Sequence, residues 1–128
     1  MPVENSWIVE ERIMLTRLIG HVTIADMIAS GQKGTLMIES GVAPVYSLVD
    51  ASLIEQFPLK LNELKSLTEQ GSSDKLGWII IYSIPNRFIS FMATTFAQVI
   101  GKNYKVVATQ EDALEFIRSR ESALDGKL

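Results

Sequence analysis

Residues 76 to 101, LGWIIIYSIPNRFISFMATTFAQVIG, carry a single charge, Arg87. A stretch this apolar has to be covered, so the rest of the chain must pack around it. Its character changes half-way. Trp78 to Tyr82 is short, unbroken and rich in β-branched and aromatic side chains, as in a strand buried on both faces. From Arg87 to Ile100 the apolar residues recur at helical spacing. Between the two, Pro85 has no N–H to give to a ladder and Asn86 suits a helix N-cap. This break leaves two pieces well short of the roughly 20 apolar residues that a membrane span requires, so no span is expected.

The flanking sequence supplies elements that can do the covering. Ser6 to Glu10 and Arg12 to Gly20 read as two strands joined by a tight turn at Glu10-Glu11-Arg12, although no Gly or Asn marks it. The second strand is apolar on both sides apart from Thr16 and Arg17. Thr23 with Asp26 makes a capping box that opens a helix along Ile24, Met27, Ile28, Thr35 and Ile38. Gly31 and Gly34 interrupt that helix, which predicts a bend or a close backbone neighbour. Gly41 to Pro44 is a turn, and Val45 to Val49 a buried strand ending at Asp50, followed by a packed connection through Phe57.

An amphipathic helix is predicted over Leu59 to Gln70, with Leu61, Leu64 and Thr68 on one stripe. The central strand spans 78–84, the apolar helix 87–100, and a last strand Tyr104 to Ala108. Thr109 and Asp112 then cap a final helix faced by Ala113, Phe116 and Ile117. Strands alternating with helices predict an α/β fold: a small, mixed, mostly parallel sheet with an antiparallel edge strand, flanked by about four helices. The 128 residues fit a single domain, 1–128.

Composition narrows the chemistry. With 12 Lys+Arg against 15 Asp+Glu the net charge is −3, and no basic cluster forms a nucleic-acid footprint. There is no cysteine, which removes disulfides and thiolate chemistry and suits a cytoplasmic setting. The opening MPVENSWIVEER has neither the basic start nor the apolar core of a signal peptide. His21 is the one histidine; without a second His or a nucleophile motif it predicts neither a metal site nor a triad, so no catalytic residue and no cofactor is expected.

The order of motifs is more specific than any one of them. Two strands ending in G-x-V-T, a helix, a strand ending V-D, a helix, a buried strand, an apolar helix and Y-x-V-V-A-T-x-E-D-A-L-E-F-I together resemble the SpoIIAA-like branch of the STAS domains. The resemblance covers nearly the whole chain. It implies a mixed sheet flanked by helices, protein–protein signalling or small-ligand binding, and no catalysis. One departure matters, because the phosphorylated members carry D-S-x-G. Here the region reads Asp50-Ala51-Ser52-Leu53, without the glycine, so the resemblance transfers no phosphorylation to Ser52.

In open α/β sheets ligands gather at the carboxyl ends of the parallel strands. That places His21, Asp50, Ser52, Asn86 and Arg87 on an expected ligand or partner rim, with helix capping as the structural alternative for Asn86. Arg87 opposes the helix dipole by a few tenths of a kcal/mol, and a pair with Asp50 or an exposed side chain with no partner is favoured over an anion site. Beyond it, Ile89, Met92, Ala93, Phe96 and Ile100 would face the sheet, leaving Phe88, Phe91 and Val99 off that stripe. A neighbouring helix, a second subunit or an apolar ligand would cover them, in that order. Phe88, Phe91, Met92 and Thr95 are thus the candidate apolar interface or pocket. The functions left open are a protein-interaction domain, as a homodimer, and a carrier or sensor of a small apolar or acidic ligand.

Overall fold

The computed structural model describes residues 2–56, 73–100 and 103–121 and places five strands side by side in chain order. β1 (Val3–Val9) pairs antiparallel with β2 (Ile13–His21). β2, β3 (Val45–Gln56), β4 (Leu76–Tyr82) and β5 (Tyr104–Val106) run parallel to one another. The described helices are α1 (Ile24–Glu39), α2 (Arg87–Ile100) and α3 (Gln110–Arg120). The mixed, mostly parallel sheet with an antiparallel edge is as expected. Three helices are described rather than four; the one expected over 59–70 lies outside the described residues.

The β1–β2 turn explains why the sequence does not advertise it. Glu11 takes φ +69°, a conformation that Gly or Asn adopts more readily, while Arg12 N–H donates to the Val9 carbonyl at 3.0 Å. The Glu11 carbonyl in turn accepts the N–H of Val42 at 3.0 Å, tying this turn to the segment after α1.

β3 corrects the expected boundary. The strand does not stop at Asp50 but runs on to Gln56, because Leu53, Ile54 and Gln56 continue to pair with Ile19, Gly20 and His21. The register shift between Arg17 and Ile19 accommodates one extra residue on β3. Asp50 serves that bulge: its Oδ1 accepts the backbone N–H of Ser52 at 2.9 Å. An aspartate that reads as a strand terminator is here a bulge ligand inside the strand.

Side-chain alternation then divides the core. On one face of the sheet Ile13, Tyr46, Leu48, Ile80 and Tyr82 pack under Ala113 and Ile117 of α3. On the other, Leu18 and Ala51 meet Ile89 of α2, and Met14 and Val45 meet Ile38 of α1. Each helix starts on the predicted cap. Thr23 and Asp26 form the reciprocal box, Asn86 Oδ1 accepts Ile89 N–H at 2.9 Å, and Thr109 Oγ1 accepts Asp112 N–H at 3.1 Å. α1 is one helix of 16 residues, and at Gly34 what lies close is the Met14 side chain rather than another backbone.

Candidate functional site

The carboxyl ends of the parallel strands do not form one level rim. β4 ends at Tyr82, opposite Asp50, whereas β3 continues about six residues, roughly 20 Å, to Gln56 beside His21. His21 is therefore at the far end of the β2–β3 extension, exposed, and Asp50 and Ser52 are within β3. Asn86 and Arg87 sit beyond the end of β4, at the start of α2. Of the five expected rim residues, Asn86 and Arg87 come together in a cleft. Their open groove, of about 450 Å³, lies between the first turn of α2 and the end of β5, with Ser90, Ile84 and Val106 to Ala108 as its other walls.

Asp50 does not pair with Arg87. The register sets Glu4, Arg17, Asp50 and Tyr82 in one cross-strand row on the face that carries α3. Arg17 lies 3.8 Å from Glu4 and 3.9 Å from Asp50, distances that make weak, water-screened pairs. Tyr82 is buried, and its hydroxyl accepts from Gln110 Nε2 at 3.1 Å. Burial, with the Asp50 carboxylate adding to it, pushes the Tyr82 phenol up from its ordinary value. This row was legible only in part: Arg17 stands out as the lone charge of an apolar strand, but its partners depend on register. Arg87 itself makes no ion pair among the described residues.

The broad apolar arc of α2 resolves into two halves. Ile89 and Ala93 are buried against the sheet, while Phe88 and Phe91 are 56% and 66% exposed. Among the described residues no neighbouring helix covers these two rings. Thr95 is half-buried and donates its hydroxyl to the Phe91 carbonyl at 2.9 Å; the Met92 side chain lies outside the described residues. Nor do the phenyl rings frame the internal cavity. That space, about 70 Å³, lies between the sheet and the helices, walled by Leu18, Met27, Val49, Ile81, Ile89 and Ala93 among others. It holds less than half the roughly 150 Å³ of a cavity that accepts benzene.

One further polar group borders that cavity, and it is internally satisfied. Thr16 Oγ1 donates to Asn5 Oδ1 at 2.9 Å, and Asn5 Nδ2 donates to Ser30, joining β1, β2 and α1. Among the described residues no cluster of three His, Asp or Glu is placed to hold a metal ion, and no helix is long and apolar enough to cross a membrane.

The sheet order, the antiparallel edge and helices on both faces decide the architecture. The fold is SpoIIAA-like. Among solved structures the chain is similar to an uncharacterised protein of the DUF3478 family with a SpoIIAA-like fold, from Shewanella loihica PV-4. The identity is 13% and the TM-score 0.59, over 89% of this chain and 90% of that one. At that identity the likeness concerns the fold. No protein-family model and no curated protein matches the sequence. In this SpoIIAA-like fold, among the described residues, the outer face of α2 and the groove beside it form one surface that the core does not consume.

Proposed function

We propose that this SpoIIAA-like domain is a non-enzymatic regulatory or protein-interaction module, working in the cytoplasm, whose contact surface is the outer face of α2 with its adjoining groove. The observation that carries this is the pair of phenyl rings at Phe88 and Phe91, three residues apart and more than half exposed. Adjacent aromatic side chains left in water on one helix face mark an interaction surface more often than a solvated one. The polar chemistry elsewhere supports the same reading, since Arg17, Asp50, Tyr82 and Gln110 engage one another. The sequence has no D-S-x-G, so regulation through Ser52 phosphorylation forms no part of the proposal. The cavity between sheet and helices, about 70 Å³, is small for a carried ligand, so a carrier role would use the open groove beside Arg87.

The test is a double substitution, Phe88→Ser with Phe91→Ser. Both side chains are exposed, so the thermal midpoint should hold within the about 0.5 kcal/mol usual for surface changes. Self-association and capture of any partner should be lost. An unchanged oligomeric mass together with an unchanged set of co-purifying proteins would sink the proposal. A small molecule released on denaturation, at one per chain, would favour the carrier instead.

A further inference from the structure

We infer that the cavity between the sheet and the layer of α1 and α2 is a dry binding site for one small, uncharged, apolar guest, of the size of a xenon atom or a short hydrocarbon. The inference stands apart from the contact-surface reading above, because it concerns the inner side of α2 and not the outer. Two of the walls are alanines, Ala51 on β3 and Ala93 on α2, where most of their neighbours are Leu, Ile or Val. Small side chains contributed by both layers leave the space of about 70 Å³ unfilled.

Whether such a space holds water depends on the polar atoms that reach it. The strand walls give their backbone groups to the β2–β3 and β3–β4 ladders. At the bulge the Ser52 N–H is taken by Asp50 Oδ1 at 2.9 Å. Thr16 is the hydroxyl-bearing wall, and its Oγ1 donates to Asn5 Oδ1 at 2.9 Å. No buried side-chain nitrogen or oxygen among the described residues is without a partner. A buried water needs about two to four polar partners, and the side chains of these walls offer at most the spare lone pair of Thr16.

The chemistry of the guest follows. An ion or a polar molecule would lose its hydration and gain no partner here. An apolar one restores the dispersion contacts that the walls lack across the gap. Size sets the upper limit: about 70 Å³ is roughly the share of two waters in the liquid, well short of the roughly 150 Å³ in which a benzene ring is held. Met27, unbranched and only partly buried, is a wall that can adjust to the shape of the guest.

Methyl NMR spectra of the full chain under a series of xenon pressures test this. The methyls of Leu18, Val49, Ile81 and Ile89 should shift in a saturable way, while those of Leu48 and Ile80, on the α3 face of the sheet, stay in place. Ala93→Val, which fills the gap from α2, should abolish the response, with circular dichroism verifying the fold; Ala51→Val makes the same test from β3. Benzene should leave the wild-type spectrum unchanged. Absence of a xenon response, or a response spread over both faces of the sheet, overturns the site. A response kept at full size in a folded, filled variant puts the guest elsewhere and overturns it equally. Water cross-peaks to the Ile81 or Ile89 methyls overturn the dry cavity, and saturable shifts with benzene overturn the size limit.

Discussion

Three glycines follow one another along and after α1, and the structure assigns them opposite responses to the same substitution. At Gly41 a Cβ would sit 2.6 Å from the Glu11 carbonyl oxygen, 2.9 Å from Val45 Cγ2 and 3.2 Å from the Ile38 carbonyl oxygen. Two of those neighbours are backbone, and both are engaged: Glu11 O accepts Val42 N–H at 3.0 Å and Ile38 O accepts Gly41 N–H at 2.9 Å. Gly41→Ala must push the β1–β2 turn away from the end of α1. Losing one such hydrogen bond costs about 1 kcal/mol and the overpacking about 1–3, giving about 2–4 kcal/mol of destabilisation. Gly31 has nothing within 4 Å of the same added carbon, so there Ala only removes the entropic penalty of glycine in a helix. Gly31→Ala should stabilise by about 0.5–1 kcal/mol. Gly34→Ala meets the flexible Met14 side chain at 3.4 Å and should fall between the two.

Thermal and urea unfolding of the three variants reads this directly. For 128 residues the unfolding entropy scales to about 270 cal/mol/K, so 1 kcal/mol moves the midpoint by about 4 °C. Gly41→Ala should lower it by about 8–15 °C and Gly31→Ala raise it by about 2–4 °C. Equal shifts at 31 and 41, or a Gly41→Ala variant as stable as the wild type, would refute the packing of the turn against the α1 terminus.

Other consequences are equally measurable. Ile117 is fully buried where α3 crosses the sheet, so Ile117→Ala should cost about 2–5 kcal/mol in urea denaturation. Arg120 lies 4.8 Å over the Trp78 ring, and Arg120→Ala should cost about 0.5–1 kcal/mol with a shift in tryptophan fluorescence. The Thr23 N–H and hydroxyl hold the Asp26 carboxyl below its ordinary value, so its contribution is present above the unfolded carboxylate value and lost as pH falls through the folded one. Asp26→Asn should therefore flatten the acid limb of a stability-versus-pH curve. Burial raises the Tyr82 phenol, so the folded state keeps a proton that the unfolded chain releases, and stability should decline as pH rises past about 10. Tyr82→Phe should reduce that alkaline decline, measured as the urea midpoint from pH 8 to 11.

Local sequence determined the elements of this protein wherever the signal is local. The caps at Thr23, Asn86 and Thr109, the apolar run through Trp78 to Tyr82 and the helical spacing after Arg87 each act within a few residues, and each element formed where they placed it. Alternation of strands and helices then carried the sheet type. Tertiary structure decided what depends on register. Whether Asp50 ends a strand or ligates a bulge within it is set by how far β2 continues alongside, and that in turn decides that Arg17, not Arg87, is its partner. The rim that looked continuous in sequence became stepped for the same reason, separating His21 from Asn86. Likewise the width of the apolar arc on α2 was legible from spacing alone, but only the packed structure shows which half is spent on the core. Ile89 and Ala93 lie over the sheet and Phe88 and Phe91 face water, because a helix can turn only one side to a sheet at a time.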